Sequence, residues 1–486
     1  MAWLLYQLAV AILLVTAGPL LLLLRGRHYL PTLRGRLSIA VPEATPGALW
    51  LHAVSVGEVA VAAVVADTLP AATPLLVTTI TPTGQERARV RFGGRAAVGY
   101  LPIDLDPLVE RFLRRVQPAA LVLVEGDYWP LLLARCRQRE LPVVVINGRV
   151  GDRTLRLLSK RPRVARWLLG TVDRFAVQTA EDGRRLQSLG VAAEKVTVAG
   201  NLKYDAPEPT PQPRLEEAMR AAAAGRPILV AGSTMAGEES AMLAAFQSIG
   251  GGERALLVLA PRHPERWEEV ARLLAASGLP WQRRSALETA SSGASQLSAR
   301  AAILPGAAEG TVAAAPAVLL LDSLGELASL YRLAAGCFVG GTLAPKGGHN
   351  PLEPARFARA IAVGPSMENF RDMAAQFDAA AAWRRVAGSD DLAAAWREWL
   401  DEPATASELG ARALRLVDTN RGALERTLAV LRPVLARVEA AREAAATAAQ
   451  ARTNRRVSAA ATPRDPLAPP RAPAAVEMRA PGRARR

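Results

Sequence analysis

Short apolar runs, each closing on a polar or glycine-bearing loop and followed by a helical pattern, recur through most of this chain, and no other feature narrows its fold so far. The runs fall at 48–52, 75–79, 98–101, 120–124, 143–147, 174–178 and 196–199. A proline-dense stretch at 206–213, APEPTPQP, interrupts them, and they resume at 228–231, 255–260, 318–321, 337–339 and 360–363. Strand and helix in alternation give a mostly parallel sheet covered on both faces, because a parallel crossover needs a helix to span it. The interruption makes two such units. The 486 residues exceed one ordinary domain, and half of them are hydrophobic, enough for two cores. The expected class is α/β, with two Rossmann-like doubly wound domains facing a cleft and ligands at the C-terminal ends of the strands. The boundaries read as 1–27 for an apolar N-terminal segment, 28–206 and 227–436 for the two domains, and 207–226 for the linker. Residues 437–486 read as a disordered Arg/Ala/Pro-rich tail. The span 281–317, rich in Ser, Ala and Gly, takes no assignment.

The formal net charge of +15 first suggests nucleic acid. From Ala451 onward, however, nine arginines stand against only Asp465 and Glu477, so nearly half of the excess lies in the tail. No zinc-finger spacing and no aromatic–basic repeat occurs, which argues against nucleic acid as a partner. Four histidines with no His or Cys pair at ligand spacing argue against a structural zinc. Two cysteines, Cys136 and Cys337, both in apolar surroundings, argue against a disulfide framework. Residues 2–24 carry no charge, and Arg25, Arg27, Arg34 and Arg36 follow at once. That length suits a bilayer, and the basic flank predicts a membrane anchor with the bulk of the chain on the cytoplasmic side. A buried core helix is the competing reading, and Gly18 with Pro19 leaves open a helix lying in one leaflet.

Fold alone does not give function, so the strand-end loops must carry that argument. The stretch 330–370 reads as a strand, a glycine turn at Gly340 and Gly341, a loop with Lys346 and His349, and a helix opening at Pro351 with Asn350 as its cap. Glycines let backbone approach a ligand, and a helix N-terminus attracts an anion. Glu353 on the first turn can accept hydrogen bonds from sugar hydroxyls or simply serve the helix dipole. In PRHPER, Arg262, His263 and Arg266 follow a strand, where arginine forks suit phosphate. GSTMAGEE offers Ser233 and Thr234 at a helix start, and DSLGEL puts Asp322, Gly325 and Glu326 in a turn able to hold a nucleoside. No Asp-x-Asp clamp for a metal diphosphate stands among these loops, and basic groups can neutralise a leaving phosphate without magnesium. In the first half, HAVSVGE places Glu58 where strand passes into helix; it can act as a general base toward a hydroxyl or as a dipole-favouring acid. TPTGQER, with Thr83 and Gly84, reads as an ordinary capped turn. VEGDYWP carries Glu125 and Asp127 after a buried strand, where an acid is costly unless it bonds something. GNLKYD sets Lys203 near the linker, able to meet a negative substrate group or to remain a surface lysine.

Taken in order, HAVSVGE, TPTGQER, YLPIDL, VEGDYWP, NGRVGDRT, EDGRRLQSLG, GNLKYD, GSTMAGEE, PRHPER, DSLGEL and FVGGTLAPKGGHNPLEP resemble the Kdo transferases, across roughly 1–435. Those enzymes move 3-deoxy-D-manno-octulosonic acid (Kdo) from CMP-Kdo onto a lipid A precursor in lipopolysaccharide core biosynthesis. The resemblance implies a GT-B glycosyltransferase acting by inverting single displacement, at the cytoplasmic face of the inner membrane. It implies Glu58 as general base, with Glu125 and Lys203 stabilising the transition state. It assigns CMP to Pro261, Arg262, the turn Leu324, Gly325 and Glu326, and Asn350, Pro351, Leu352 and Glu353. No cofactor and no metal are implied; the partners are CMP-Kdo, the lipid A precursor and inner-membrane lipids. The family pattern has His-Glu where this chain has Met235 and Ala236. Two other readings of the residues are a GT-B transferase or epimerase using a UDP-sugar, and a catalytically idle membrane-tethered nucleotide-sugar binder.

Overall fold

The computed structural model describes residues 2–291 and 315–461. The first domain holds β1 (Leu49–His52), β2 (Leu75–Thr79), β3 (Ala97–Tyr100), β4 (Ala120–Val124), β5 (Val143–Gly148), β6 (Arg174–Val177) and β7 (Val196–Val198). They form one parallel sheet ordered β3-β2-β1-β4-β5-β6-β7. The second holds β8 (Ile228–Thr234), β9 (Leu256–Pro261), β10 (Trp281–Arg283), β11 (Val318–Leu320), β12 (Ala334–Val339), β13 (Ala360–Val363) and β14 (Arg384–Arg385). Its order is β10-β11-β9-β8-β12-β13-β14, again parallel. Each sheet winds outward from a central pair, β1/β4 and β8/β12. At such a switch point the flanking loops part and leave a crevice.

The central strands are buried along their whole length because helices cover both faces. Alternation divides β1 between two cores: Trp50 packs on one face, with its ring 5.1 Å from that of Phe112, and Leu49 and Leu51 pack on the other. Each such side chain contributes about 1.5–3 kcal/mol by leaving water. The strands absent from the sequence reading, β10 and β14, are short edges, where only one side is covered and no apolar run is required. The span 281–317 holds β10 and the helix Arg284–Ser291, with 292–314 outside the described residues.

Three boundaries differ from the sequence reading. The helix Pro213–Ala223 lies inside the expected linker, and Leu215 and Met219 pack into the second domain, so the connection shortens to 206–212. The final helix, Ala423–Ala461, turns back onto the first domain, where Leu431, Val434 and Val438 join the core beside Val59 and Val61. Their spacing is the stripe of an amphipathic helix. Residues 437–461 of the expected disordered tail are thus helical, and 462–486 lie outside the described residues. The two crossings of the chain between domains are buckled by one carboxylate: Asp205 accepts the N–H groups of Gly422 at 2.7 Å and Leu424 at 2.9 Å.

Residues Ala2–Tyr29 form a helix. Among the described residues no helix is long and apolar enough to cross a membrane, so the spanning anchor expected at 1–27 is not supported. Pro19 lies inside the continuous helix, and Arg25 and Arg27 fall within its C-terminal turns. Tyr6 also ties it to the first domain, its hydroxyl donating to Asp104 at 2.9 Å.

Candidate active site

At the end of β1 the chain turns through Ser55, in extended backbone, into the helix Val56–Ala66. Glu58 stands on the first turn, 9% exposed, and its carboxylate curls back to accept the Val54 N–H at 2.7 Å and the Ser55 hydroxyl at 3.0 Å. Burial pushes its pKa up to about 7, the like charges of Glu125 and Asp127 push the same way, and the two hydrogen bonds oppose them. An acid half-ionised near neutrality is what a general base requires. Each carboxylate oxygen spends one lone pair on the fold and keeps another for a hydroxyl.

Glu125 closes β4, the strand beside β1, in the left-handed region (φ 61°), which only a well-supported non-glycine residue holds. Its Oε1 lies 3.0 Å from Lys203 Nζ and 3.3 Å from Asn147 Nδ2. Asn147, next to last in β5, is fully buried and is also left-handed (φ 52°). Its Oδ1 accepts the Leu202 N–H at 2.9 Å, so one buried amide holds both Glu125 and the loop carrying Lys203. Gln178 extends the network, donating to the Asn147 carbonyl and accepting from Asn201, each at 3.0 Å. In the motif NGRVGDRT Asn147 carried no expected role; the signal present in the chain was a polar residue near the end of an apolar strand. Burial and Glu125 raise the Asp127 pKa. Across the cleft, the Phe370 ring of the second domain lies 5.9 Å from Lys203 Nζ, and Tyr204 donates to Gln376 at 2.7 Å.

The second-domain loops depart further from expectation. The amides of the glycine turn are occupied: Gly341, Thr342, Leu343 and Ala344 all donate to the buried carboxylate of Glu238. The helix expected to open at Pro351 runs only from Leu352 to Ala355, too short to sum an appreciable dipole. Pro351, not Asn350, stands at its N-cap, while Asn350 accepts the Leu352 N–H at 3.1 Å from one residue further back. Arg266 is not available to phosphate, because its guanidinium forks onto Glu239 at 2.6 and 3.0 Å and reaches Glu269. Those carboxylates hold its pKa above the ordinary arginine value. Arg262, following buried Pro261, is exposed. Glu326 is likewise engaged by Arg284 at 2.7 Å and by Ser323, so its turn offers exposed Leu324 and the backbone of Gly325 (φ 86°) rather than a free carboxylate.

Glu353 draws charge from both domains. Burial raises its pKa, while Arg356 and Arg262 of the second domain and Arg87 of the first all lower it. Burial together with Arg262 and His263 pushes the His349 pKa down to about 4, leaving a neutral ring whose buried Nε2 has no hydrogen-bond partner among the described residues. Such a nitrogen can bond a ligand. His52 Nε2 is likewise unpartnered among the described residues, but that ring lies wholly inside the first-domain core, with Nδ1 bonded to Thr78. Among the described residues no group of three or more His, Cys, Asp or Glu has the arrangement to hold a metal ion.

Two parallel α/β sheets, each wound from a central switch point, define a GT-B fold. The structure of UDP-GlcNAc 2-epimerase from Neisseria meningitidis bound to UDP-GlcNAc has this fold, at a TM-score of 0.50 and 11% identity, covering 80% of this chain and 100% of that one. A family model described as 3-deoxy-D-manno-octulosonic-acid transferase (kdotransferase) matches residues 31–206. The 3-deoxy-D-manno-octulosonic acid transferase of Bordetella pertussis is 33% identical over 413 residues, 83% of this chain and 91% of that relative. Its namesake from Haemophilus influenzae is 32% identical over 398 residues, 81% and 88%. The chain belongs to the 3-deoxy-D-manno-octulosonic acid transferase family.

Proposed function

We propose that this chain transfers Kdo from CMP-Kdo to a lipid A precursor in lipopolysaccharide core synthesis, inverting the anomeric carbon in a single displacement. The observation that carries the mechanism is Glu58, a buried acid with a pKa of about 7 at the switch point of the first sheet. The acceptor hydroxyl oxygen bonds to the Kdo anomeric carbon, and Glu58 takes the hydroxyl proton. The bond from that carbon to the phosphate oxygen breaks, and CMP leaves with the electron pair. Arg262 faces the leaving phosphate, and Lys203, aimed by Glu125, meets the negative charge of Kdo or of its leaving group. Pro261, Leu324, Gly325, Asn350, Pro351, Leu352 and Glu353 hold the CMP portion, with Glu326 acting through Arg284 rather than by direct contact. Cationic side chains serve in place of a metal, and no cofactor takes part.

The site works at the cytoplasmic face of the inner membrane, where a lipid acceptor would reside. Exposed Leu8, Ile12, Leu13, Val15, Leu23 and Leu24 on the helix Ala2–Tyr29 support contact with the membrane. The test is transfer from CMP-Kdo to a lipid A precursor in detergent with EDTA, for the wild type and Glu58→Gln. Wild-type transfer that persists, against a loss of roughly 10²–10⁴-fold in the variant with CMP binding intact, is expected. A wild type that binds CMP and transfers nothing would refute the reading.

A further inference from the structure

The helix after β8, Glu238–Ser248, opens on two buried carboxylates with different tasks. Glu239 is held by Arg266 and by the Thr234 hydroxyl at 2.8 Å, an ordinary neutralised pair within the fold. Glu238, 1% exposed, makes no salt bridge among the described residues. Its Oε2 accepts the N–H groups of Gly341 at 2.7 Å and Met235 at 2.9 Å. Its Oε1 accepts those of Thr342 at 2.9 Å, Leu343 at 2.9 Å and Ala344 at 3.1 Å. Those amides saturate the roughly four lone-pair sites of a carboxylate.

The donors come from two loops, one leaving β8 and one leaving β12, the strands that flank the switch point of the second sheet. The loop backbones touch: a Cβ on Gly340 would lie 2.2 Å from the Ser233 carbonyl oxygen, and Ser233 itself is left-handed (φ 56°). Downstream, the β12 loop runs directly into His349, Asn350 and Glu353. A concave run of amides of this kind ordinarily receives an external anion. Here it is filled from within.

We propose that Glu238 is a positioning residue of the donor site. Its carboxylate occupies the amide nest at 341–344, locks the β8 and β12 loops together, and so sets where His349, Asn350 and Glu353 meet the nucleotide. By like charge it also keeps the donor phosphate out of the nest, toward Arg262. The inference rests on the donor-site reading above.

Glu238→Gln keeps the shape but turns one accepting oxygen into an NH₂ that confronts amide donors. Calorimetry with CMP and initial rates against each substrate are the measurements. A loss of CMP affinity and a rise in KM for CMP-Kdo of about tenfold or more are expected, with KM for the acceptor within about twofold, because charge-assisted bonds are among the strongest in a fold. Glu239→Gln, removing the neighbouring buried carboxylate, should lower Tm yet leave KM for CMP-Kdo near the wild-type value. A wild-type donor KM in Glu238→Gln overturns the proposal, and so does an equal rise in Glu239→Gln. Should Glu238→Gln not fold, amide hydrogen exchange of the wild type decides: protection at 341–344 without donor, little changed by CMP, is expected. Rapid exchange there that CMP suppresses would mean that the phosphate binds those amides, and would overturn it. A wild type that binds no CMP refutes the functional reading and this inference together; equal CMP binding by wild type and Glu238→Gln refutes this inference alone.

Discussion

Glu58 should give the enzyme a pH dependence that an ordinary surface glutamate would not. Its pKa stands at about 7 against the usual 4.5. That gap of roughly 2.5 units corresponds to ~3 kcal/mol. Burial contributes most of it, Glu125 and Asp127 add to it, and the Val54 and Ser55 hydrogen bonds subtract from it. Only the ionised form can take a proton from the acceptor. With a midpoint near 7, roughly a tenth of the molecules are competent at pH 6 and about nine-tenths at pH 8, so kcat should rise about tenfold over that interval when chemistry limits turnover. Asp127→Asn removes one like charge and should move the midpoint to lower pH. Stability carries the same shift with its own sign. Because the folded pKa lies above the unfolded value, the folded chain keeps a proton that the unfolded chain has released between about pH 4.5 and 7. The contribution is full below that window and is lost as pH rises through about 7. Glu58→Gln, neutral throughout, should therefore be inactive yet more stable than the wild type above about pH 8, by up to ~3 kcal/mol, with little difference below about pH 4.5. Single-turnover rates and urea unfolding across pH are the assays. A wild-type rate flat from pH 6 to 8, or a stability difference that does not change with pH, would refute the reasoning.

Arg266→Met should destabilise the second domain by about 3–5 kcal/mol in urea unfolding, because it strands Glu239, 1% exposed, without its cation. CMP binding by the folded variant should persist, and its loss would return Arg266 to the phosphate site. Asp205→Ala should cost about 1–2 kcal/mol in thermal unfolding, by releasing the amides of Gly422 and Leu424 at the start of the last helix. Unchanged stability would show that this buckle between the crossings contributes nothing.

Much of the framework was legible residue by residue. The central strands β1, β2, β4 and β5 are buried on both faces, and a strand in that position has to be a continuous apolar run, which any reader of the chain can see. The acids at 58 and 125 were legible for a related reason: Glu125 directly follows such a run and Glu58 opens the helix after another, and both positions lie at the open end of a parallel sheet. The edges β10 and β14 were not legible, since a half-covered strand needs no apolar run. Nor was the allegiance of the last helix. Its apolar stripe predicts that it packs, but not on which domain.

The sequence by itself therefore determined two doubly wound sheets and an acid, Glu58, beyond the first strand of the first. Only the tertiary structure decided which polar groups remain free to act. Glu238 meets the amides of Gly341 to Ala344 across separations of 103 to 106 residues, and Glu326 meets Arg284 across 42. Periodicity and loop chemistry are local and reach no further than a turn or a strand. A hydrogen bond falls away within a few tenths of an ångström of its optimum. Whether a glycine loop receives a phosphate or an internal carboxylate is settled by that short-range contact, made only once both sheets have closed around it.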